Sequence, residues 1–335
     1  MMTRVSLKDI AQEIGVSNAT VSLVLNGKEK EGRVSKELAE RIRKKAVAMN
    51  YHPNAMARAL RMGSSNTIGL IVTDSSNQFF AKLAFRIEEY ADSLGYSVIV
   101  ANSNENDAKM ERMIQELKNR QVDGFIIIPT ENGQGSINNL VNSKVPVVLL
   151  DRYFEEINTH HVLIDNFKTS RSATEFLINQ GCKRIGLIIY KSELPHMQER
   201  RNGFAEALKR NGMYVPAFIK EINYQTIEEN IQKAIDDLLT RIDPVDGILF
   251  ASNSIAIHSL KYLMKRNINI PSDMKVIGFD ENDAFDLSRE PIPFVQQPIA
   301  EMGKLSVDLI IKQIEKEALN PTHIELLADL QNLPN

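Results

Sequence analysis

One cysteine is all that 335 residues contain. Cys182 excludes a disulfide framework and an all-cysteine metal site. A chain so poor in thiols suits a reducing compartment. Cys182 follows Gly181 between an expected helix and an expected strand, where a small packed residue is the simplest reading. Long apolar runs are also missing. No stretch approaches the ~20 residues of a membrane span. The first apolar residues alternate with Arg4, Lys8, Asp9 and Glu13, so no secretory h-region is expected. A cytoplasmic protein with no membrane partner is the resulting expectation. No GxGxxG, Walker or GxSxG pattern follows any expected strand, which leaves nucleotide-dependent and hydrolytic enzymes without a motif. His160, His161 and His196 lack metal-ligand spacing and read as surface residues. The acid pairs have no nucleophile or metal beside them. Neither catalysis nor a cofactor is implied.

Charge is present in both signs but unevenly shared. Residues 1–63 hold 12 Lys and Arg against 6 Asp and Glu, whereas the remainder holds 28 against 37. A basic head on an acidic body is the asymmetry of a nucleic-acid-binding module joined to something else. The overall net charge of −3 conceals it.

The head explains its charge. Ser6 followed by Asp9 is a capping box that opens a helix. Ile10, Ala11 and Ile14 recur at helical spacing. Gly15 ends the helix where a positive φ is cheap. Val16 fills the corner, Ser17 can cap a second helix, and Val21, Val24 and Leu25 face inward. This is a helix-turn-helix pattern, whose second helix enters the major groove of double-stranded DNA by its N-terminal end. An ordinary pair of packed helices is the competing reading, and the local charge weighs against it. A third helix fits Ser35 to Met49, with acids early and lysines late. Pro53 ends it, and a short segment from Ala55 to Met62 follows that is too weakly apolar to be stable alone.

From Thr67 the pattern changes. Apolar β-type runs alternate with helical segments in two series, which means parallel sheets covered on both faces. The expected fold is therefore an all-α helix-turn-helix head plus an α/β core of two doubly wound parallel-sheet lobes. A ligand would bind beyond the carboxyl ends of the strands, between the lobes.

The segments Leu7-Lys-Asp-Ile-Ala, Gly15-Val-Ser-Asn-Ala-Thr-Val-Ser and Tyr51-His-Pro-Asn-Ala-Met-Ala-Arg-Ala-Leu60 resemble the head and hinge of the lactose-repressor (LacI/GalR) family. Asn66-Thr-Ile-Gly-Leu-Ile-Val, Gln121-Val-Asp-Gly-Phe-Ile-Ile128, Val276-Ile-Gly-Phe-Asp280 and Gln297-Pro298 extend the likeness along the chain. The resemblance implies a homodimeric regulator, most simply a repressor, on a palindromic operator. It implies a DNA-binding domain over 1–52, a hinge over 53–65 and a core over 66–335 of the periplasmic-binding-protein type I kind. The core's lobes would be 66–163 with 294–323, and 164–293 with 324–335. Asn18, Ala19 and Leu23 match base-reading positions; Ser17, Thr20, Ser22 and Asn26 match positions that hold phosphates. Asn54, Ala57 and Leu60 match the hinge in the minor groove, with Leu60 as an apolar wedge. Leu23 departs from the arginine usual there, so a weaker requirement for guanine is expected. The turn Lys28-Glu-Lys-Glu-Gly32 is longer than the family's, which reads most simply as a solvated, tolerated insertion.

Matched cleft positions are Asp74, Asn77, Phe79, Asp151, Arg200, Asn253, Asp280 and Gln297. Carboxylates, amides and one arginine beside an aromatic suit the paired hydroxyls and apolar face of a sugar, so a sugar-class small-molecule effector is expected. Asp74 and Asp280 could equally be helix caps, and Asp165 with Asn166 is expected to cap, with lining the cleft as the lesser alternative. Ser254 replaces the family's usual aspartate, which removes one charge. Other readings are a purine ligand, control by a protein partner, or a solute-binding protein of transport.

Overall fold

The computed structural model describes residues 5–51, 63–288, 290–317 and 320–332. Two compact units divide at Ser65 and Asn66. The hinge positions Asn54, Ala57 and Leu60 lie outside the described residues.

The head has three helices, α1 (Leu7–Ile14), α2 (Asn18–Leu25) and α3 (Lys36–Ala48). The Ser6–Asp9 capping box is formed at both of its bonds, and Gly15 takes φ 79°. Ile10, Ala11, Val21, Val24, Ala39, Ile42 and Ala46 make a small buried core, with Ile10 and Ile42 fully enclosed.

In the body, sheet one joins β1 (Thr67–Val72), β2 (Ser97–Asn102), β3 (Gly124–Ile127), β4 (Val147–Leu150), β5 (His160–Ile164) and β11 (His323–Leu326). Their order is β11-β5-β4-β3-β1-β2, all parallel. Sheet two joins β6 (Ile185–Tyr190), β7 (Ile219–Ile222), β8 (Gly247–Phe250), β9 (Lys275–Phe279), β10 (Phe294–Gln296) and β12 (Asp329–Gln331). Its order is β12-β10-β9-β8-β6-β7, parallel except for β12, which runs antiparallel to β10. Helices α4 (Gln78–Ser93), α5 (Asp107–Asn119), α6 (Gln134–Asn142) and α11 (Ile299–Ile314) cover the first sheet; α7 (Asn166–Asn179), α8 (Pro195–Arg210), α9 (Ile227–Leu239) and α10 (Asn253–Lys265) cover the second. The chain passes between lobes after β5, after β10 and after β11. Residues 294–296 thus sit in the second sheet and 324–326 in the first, opposite to the division expected from the sequence.

Strand β5 is hidden in the sequence by its two histidines. His160 and His161 are not surface residues: both are buried, because β5 is an inner strand between β4 and β11. His160 Nδ1 accepts from Thr322 N at 3.1 Å, and His161 stacks on His323 with ring centres 4.0 Å apart. Burial lowers His161 to about 4, so it stays neutral.

Cys182 is buried, its Sγ 3.7 Å from the Asp246 carbonyl oxygen, and burial pushes the thiol up to about 11. The native protein is therefore expected to show almost no reaction with a disulfide reagent at pH 8, and one thiol after unfolding. Rapid native-state labelling would contradict this packing.

Candidate functional sites

The head presents one face of α2. Ser17 Oγ accepts from Thr20 N at 3.1 Å and lies 2.9 Å from Thr20 Oγ1, so it caps the helix. That cap leaves Asn18 and Ala19 exposed in the first turn, where backbone N–H groups and the helix dipole also face outward. Asn26 Nδ2 donates to the Ser22 carbonyl oxygen at 2.5 Å and to Ser22 Oγ at 3.3 Å. Ser17, Thr20, Ser22 and Asn26 are thus braced in pairs along the helix, with hydroxyl and amide groups at the surface. Leu23 behaves otherwise: it is half-buried beneath the following turn.

In the body, strand ends converge on a cavity between the lobes. Asp74, Asn77, Phe79, Asp151, Arg200, Asp280 and Gln297 all line it. Asn253 does not: its Nδ2 donates to the Glu281 carbonyl oxygen and its Oδ1 accepts from Asn282, bracing the loop after β9. Asp151 and Asp280 follow β4 and β9 with φ of 65° and 69°. Aspartate tolerates this left-handed region better than most residues, and such backbone clusters at functional sites. Asp74 does not cap α4; Asn77 does, accepting from Phe79 N at 3.0 Å, while the Asp280 carboxyl takes a backbone bond from Asn253, the first residue of α10. Asp165 caps α7.

Arg200 is the centre of the charge pattern. It is 3% exposed. Its Nε donates to Asn166 Oδ1 at 2.8 Å, its Nη1 to the Ala251 carbonyl oxygen at 2.7 Å, and its guanidinium lies 3.7 Å from the Phe279 ring centre. Burial lowers its pKa, opposed by Asp280 and Asp151. Burial in turn raises both carboxyls, Asp280 to about 6, while Arg200 pulls Asp280 back. Gln297 Nε2 donates to Asp280 Oδ1 at 2.6 Å.

Several lining residues are not among the positions matched in the sequence. Arg152 meets Glu105 through two bonds of 2.9 and 2.7 Å. Tyr224 Oη donates to Asp74 Oδ2 at 2.8 Å across the cleft. His196, expected at the surface, is instead 4% exposed and lines the cavity, because α8 starts at Pro195 and carries it in its first turn. Burial, Arg152 and Arg200 hold its imidazole neutral, well below its usual range. Its Nδ1 and Gln297 Oε1 are buried without a hydrogen-bond partner among the described residues. Such groups cost free energy until something pairs with them. The inner cavity is about 40 Å³ and adjoins an outer one of about 340 Å³ that shares Glu105, Arg152, Tyr190, His196, Met197 and Tyr224. Bonds cross between the lobes on several sides: Asn77 Nδ2 to Ser254 Oγ, Gln78 to Asp283, Lys82 to Glu281, and Ser192 and Glu193 to Glu131. These groups supply both donors and acceptors for a small polar molecule.

Comparison with known proteins adds to this geometry. Residues 6–54 match the family described as bacterial regulatory proteins, lacI family, and residues 174–331 match the periplasmic binding protein-like domain. The chain is 34% identical to the ribose operon repressor of Halalkalibacterium halodurans, covering 96% of this chain and 94% of that one. A putative ribose operon repressor from Burkholderia thailandensis superposes with a TM-score of 0.73 at 28% identity, over 80% of this chain and 99% of that one. The lac repressor dimer bound to operator and the anti-inducer ONPF superposes with a TM-score of 0.83 at 22% identity, over 98% of each chain, which establishes the shared fold.

Proposed function

The chain belongs to the lacI family of bacterial regulatory proteins, and from that premise we propose that it represses transcription as a homodimer on a palindromic operator, under the control of a sugar-class effector held between its lobes. It is a DNA-binding transcriptional regulator and not an enzyme. Asn18 and Ala19 read base edges, and Ser17, Thr20, Ser22 and Asn26 hold phosphates. The observation that carries the effector reading is the pair of buried, unpartnered atoms, His196 Nδ1 and Gln297 Oε1, in a cavity bounded by both lobes.

The charge pattern supports an uncharged ligand. Asp74, Glu105, Asp151 and Asp280 line the inner cavity against Arg152 and Arg200 only. Arg152 is engaged by Glu105, and Arg200 by Asn166 and Ala251. A phosphorylated sugar would meet excess negative charge, whereas hydroxyls would find both acceptors and donors. The relatives named for ribose operons support a pentose as the first compound to try. Binding shifts lobe closure, and through it operator affinity, by the difference in effector affinity between the two states, typically about 1–3 kcal/mol.

Operator binding by the purified chain across pentoses, hexoses, phosphosugars and nucleobases tests this. A tenfold change in affinity with an unphosphorylated sugar is expected. A response to a purine or a phosphosugar alone would refute the sugar assignment, and silence across the panel would point to a protein partner.

A further inference from the structure

The turn between α2 and α3 is ordered by its own bonds. Lys28 N donates to the Leu23 carbonyl oxygen at 2.8 Å, Gly32 N to Lys28 O at 3.2 Å, and Val34 N to Glu29 O at 2.9 Å. Glu29 Oε1 accepts from Arg43 Nη2 of α3 at 2.6 Å, a bond that holds the Glu29 carboxyl below its usual range. Lys28 pairs with Glu31 at 3.4 Å.

Leu23 sits against this turn. A Cβ placed on Gly32 would lie 2.5 Å from Leu23 Cδ1 and 3.5 Å from Val34 Cγ2. The φ of Gly32 is not positive, so an added methyl there would act by displacing the Leu23 side chain and not by straining the backbone. Leu23 is half-buried, while Asn18 and Ala19 are exposed one turn earlier on the same helix. A methyl seated on the Gly32 backbone is not available to a base edge without giving up that packing.

We propose that Leu23 anchors the turn 27–33 to the recognition helix in place of reading a base, and that the turn, so fixed, presents Lys30 and Arg33 to the DNA backbone. The turn's acids are taken up by Arg43 and Lys28, and Lys30 and Arg33 are exposed with no ion pair among the described residues. Base reading then narrows to the first turn of α2, and phosphate binding widens beyond it. This rests on the reading of the head as a DNA reader.

The test uses the full chain and a duplex pool randomised over the half-site. Leu23→Ala is expected to lower affinity for every sequence by a similar factor, roughly 3- to 10-fold, with the base ranking unchanged at each position. Trypsin should cut faster after Lys28 and Lys30. Leu23→Met, which keeps an apolar filler, should restore both properties. Gly32→Ala should mimic Leu23→Ala, and the double variant should be no worse than either single one, since both act on the same packing. Lys30→Gln with Arg33→Gln should flatten the salt dependence by about 0.9 in log–log slope for each phosphate that is no longer neutralised. A changed base preference at one position in Leu23→Ala, with unaltered trypsin cleavage, would overturn the proposal. Failure of the unaltered chain to select any sequence would remove the DNA reading itself and this inference with it.

Discussion

Replacing Arg200 with leucine is expected to weaken the effector response at least about 10-fold and to lower the stability of the body by about 1–3 kcal/mol for each buried partner left unsatisfied. The guanidinium binds Asn166 and the Ala251 carbonyl oxygen, and its charge acts on two buried carboxyls, Asp280 and Asp151, without a direct ion pair to either among the described residues. Leucine approximates the stem but leaves the acids without their cation and the Asn166 amide oxygen without its donor. A charged hydrogen bond is worth roughly 1.5–3 kcal/mol, so effector affinity should fall at least about 10-fold and closer to 100-fold if the guanidinium also touches the ligand. The loss should depend on pH with a defined sign. Burial already raises Asp280 to about 6, above its unfolded value near 4. Its neutral form is favoured in the fold, so that contribution is complete below about pH 4 and is lost as pH rises through 6. Without Arg200 the carboxyl moves higher still, and the variant should recover part of its stability at pH 5 relative to pH 7. Thermal melts of the body at both pH values, with ligand binding by calorimetry, measure the effect. An effector affinity within threefold of the unaltered protein would remove Arg200 from the site.

That Arg200 is legible in the sequence, and its neighbour His196 is not, has a physical reason. Arg200 lies on a helix that follows an apolar strand, and Asp151, Asp280 and Asp74 follow strands whose apolar runs are unbroken. In a parallel sheet the carboxyl end of such a run points to the cleft, so position along the strand carries the information. His196 falls in the first turn of α8, which begins at Pro195. Proline in a first helical turn is a start signal, and it moves the helix start back to include His196. Tyr224 and Glu105 carry no such signal. Glu105 sits in a turn and Tyr224 opens a single 3-10 turn, too short to carry a periodicity, so side-chain direction there is set by the packing of distant elements. Asn253 shows the converse: it follows its strand end as the others do, yet the loop at 281–282 takes up its amide. The head is more legible because capping box, left-handed glycine and helix spacing are local. The packing of Leu23 on Gly32 joins residues across a turn, and position on the recognition helix alone assigns Leu23 to a base.

Gly203→Ala is expected to be the most damaging loss of space in the body, although alanine is the better helix former by about 1 kcal/mol. A Cβ at Gly203 would collide with the Phe167 carbonyl oxygen and lie 3.0 Å from the Arg171 nitrogen, both backbone atoms of α7. No rotamer change can relieve that collision, so α7 and α8 must move apart. Overpacking of this kind costs about 1–3 kcal/mol and occasionally more, and it outweighs the gain in propensity. Separation also strains the buried bond from Ser170 Oγ to the Arg200 carbonyl oxygen, 2.6 Å across the two helices. Because Gly203 lies three residues beyond Arg200 on one helix, the same movement draws the guanidinium from Asn166. With the strained bond included, a net loss of roughly 1–3 kcal/mol, visible as a body transition lowered by about 2–12 °C, should therefore accompany weaker effector binding. Gly135→Ala in α6 is the control, since nothing lies within 4 Å of its added methyl. That exposed substitution should be neutral or stabilising by up to about 1 kcal/mol. Were the two variants to melt together, the close crossing of α7 and α8 would have to be abandoned as the feature that holds Arg200 in place.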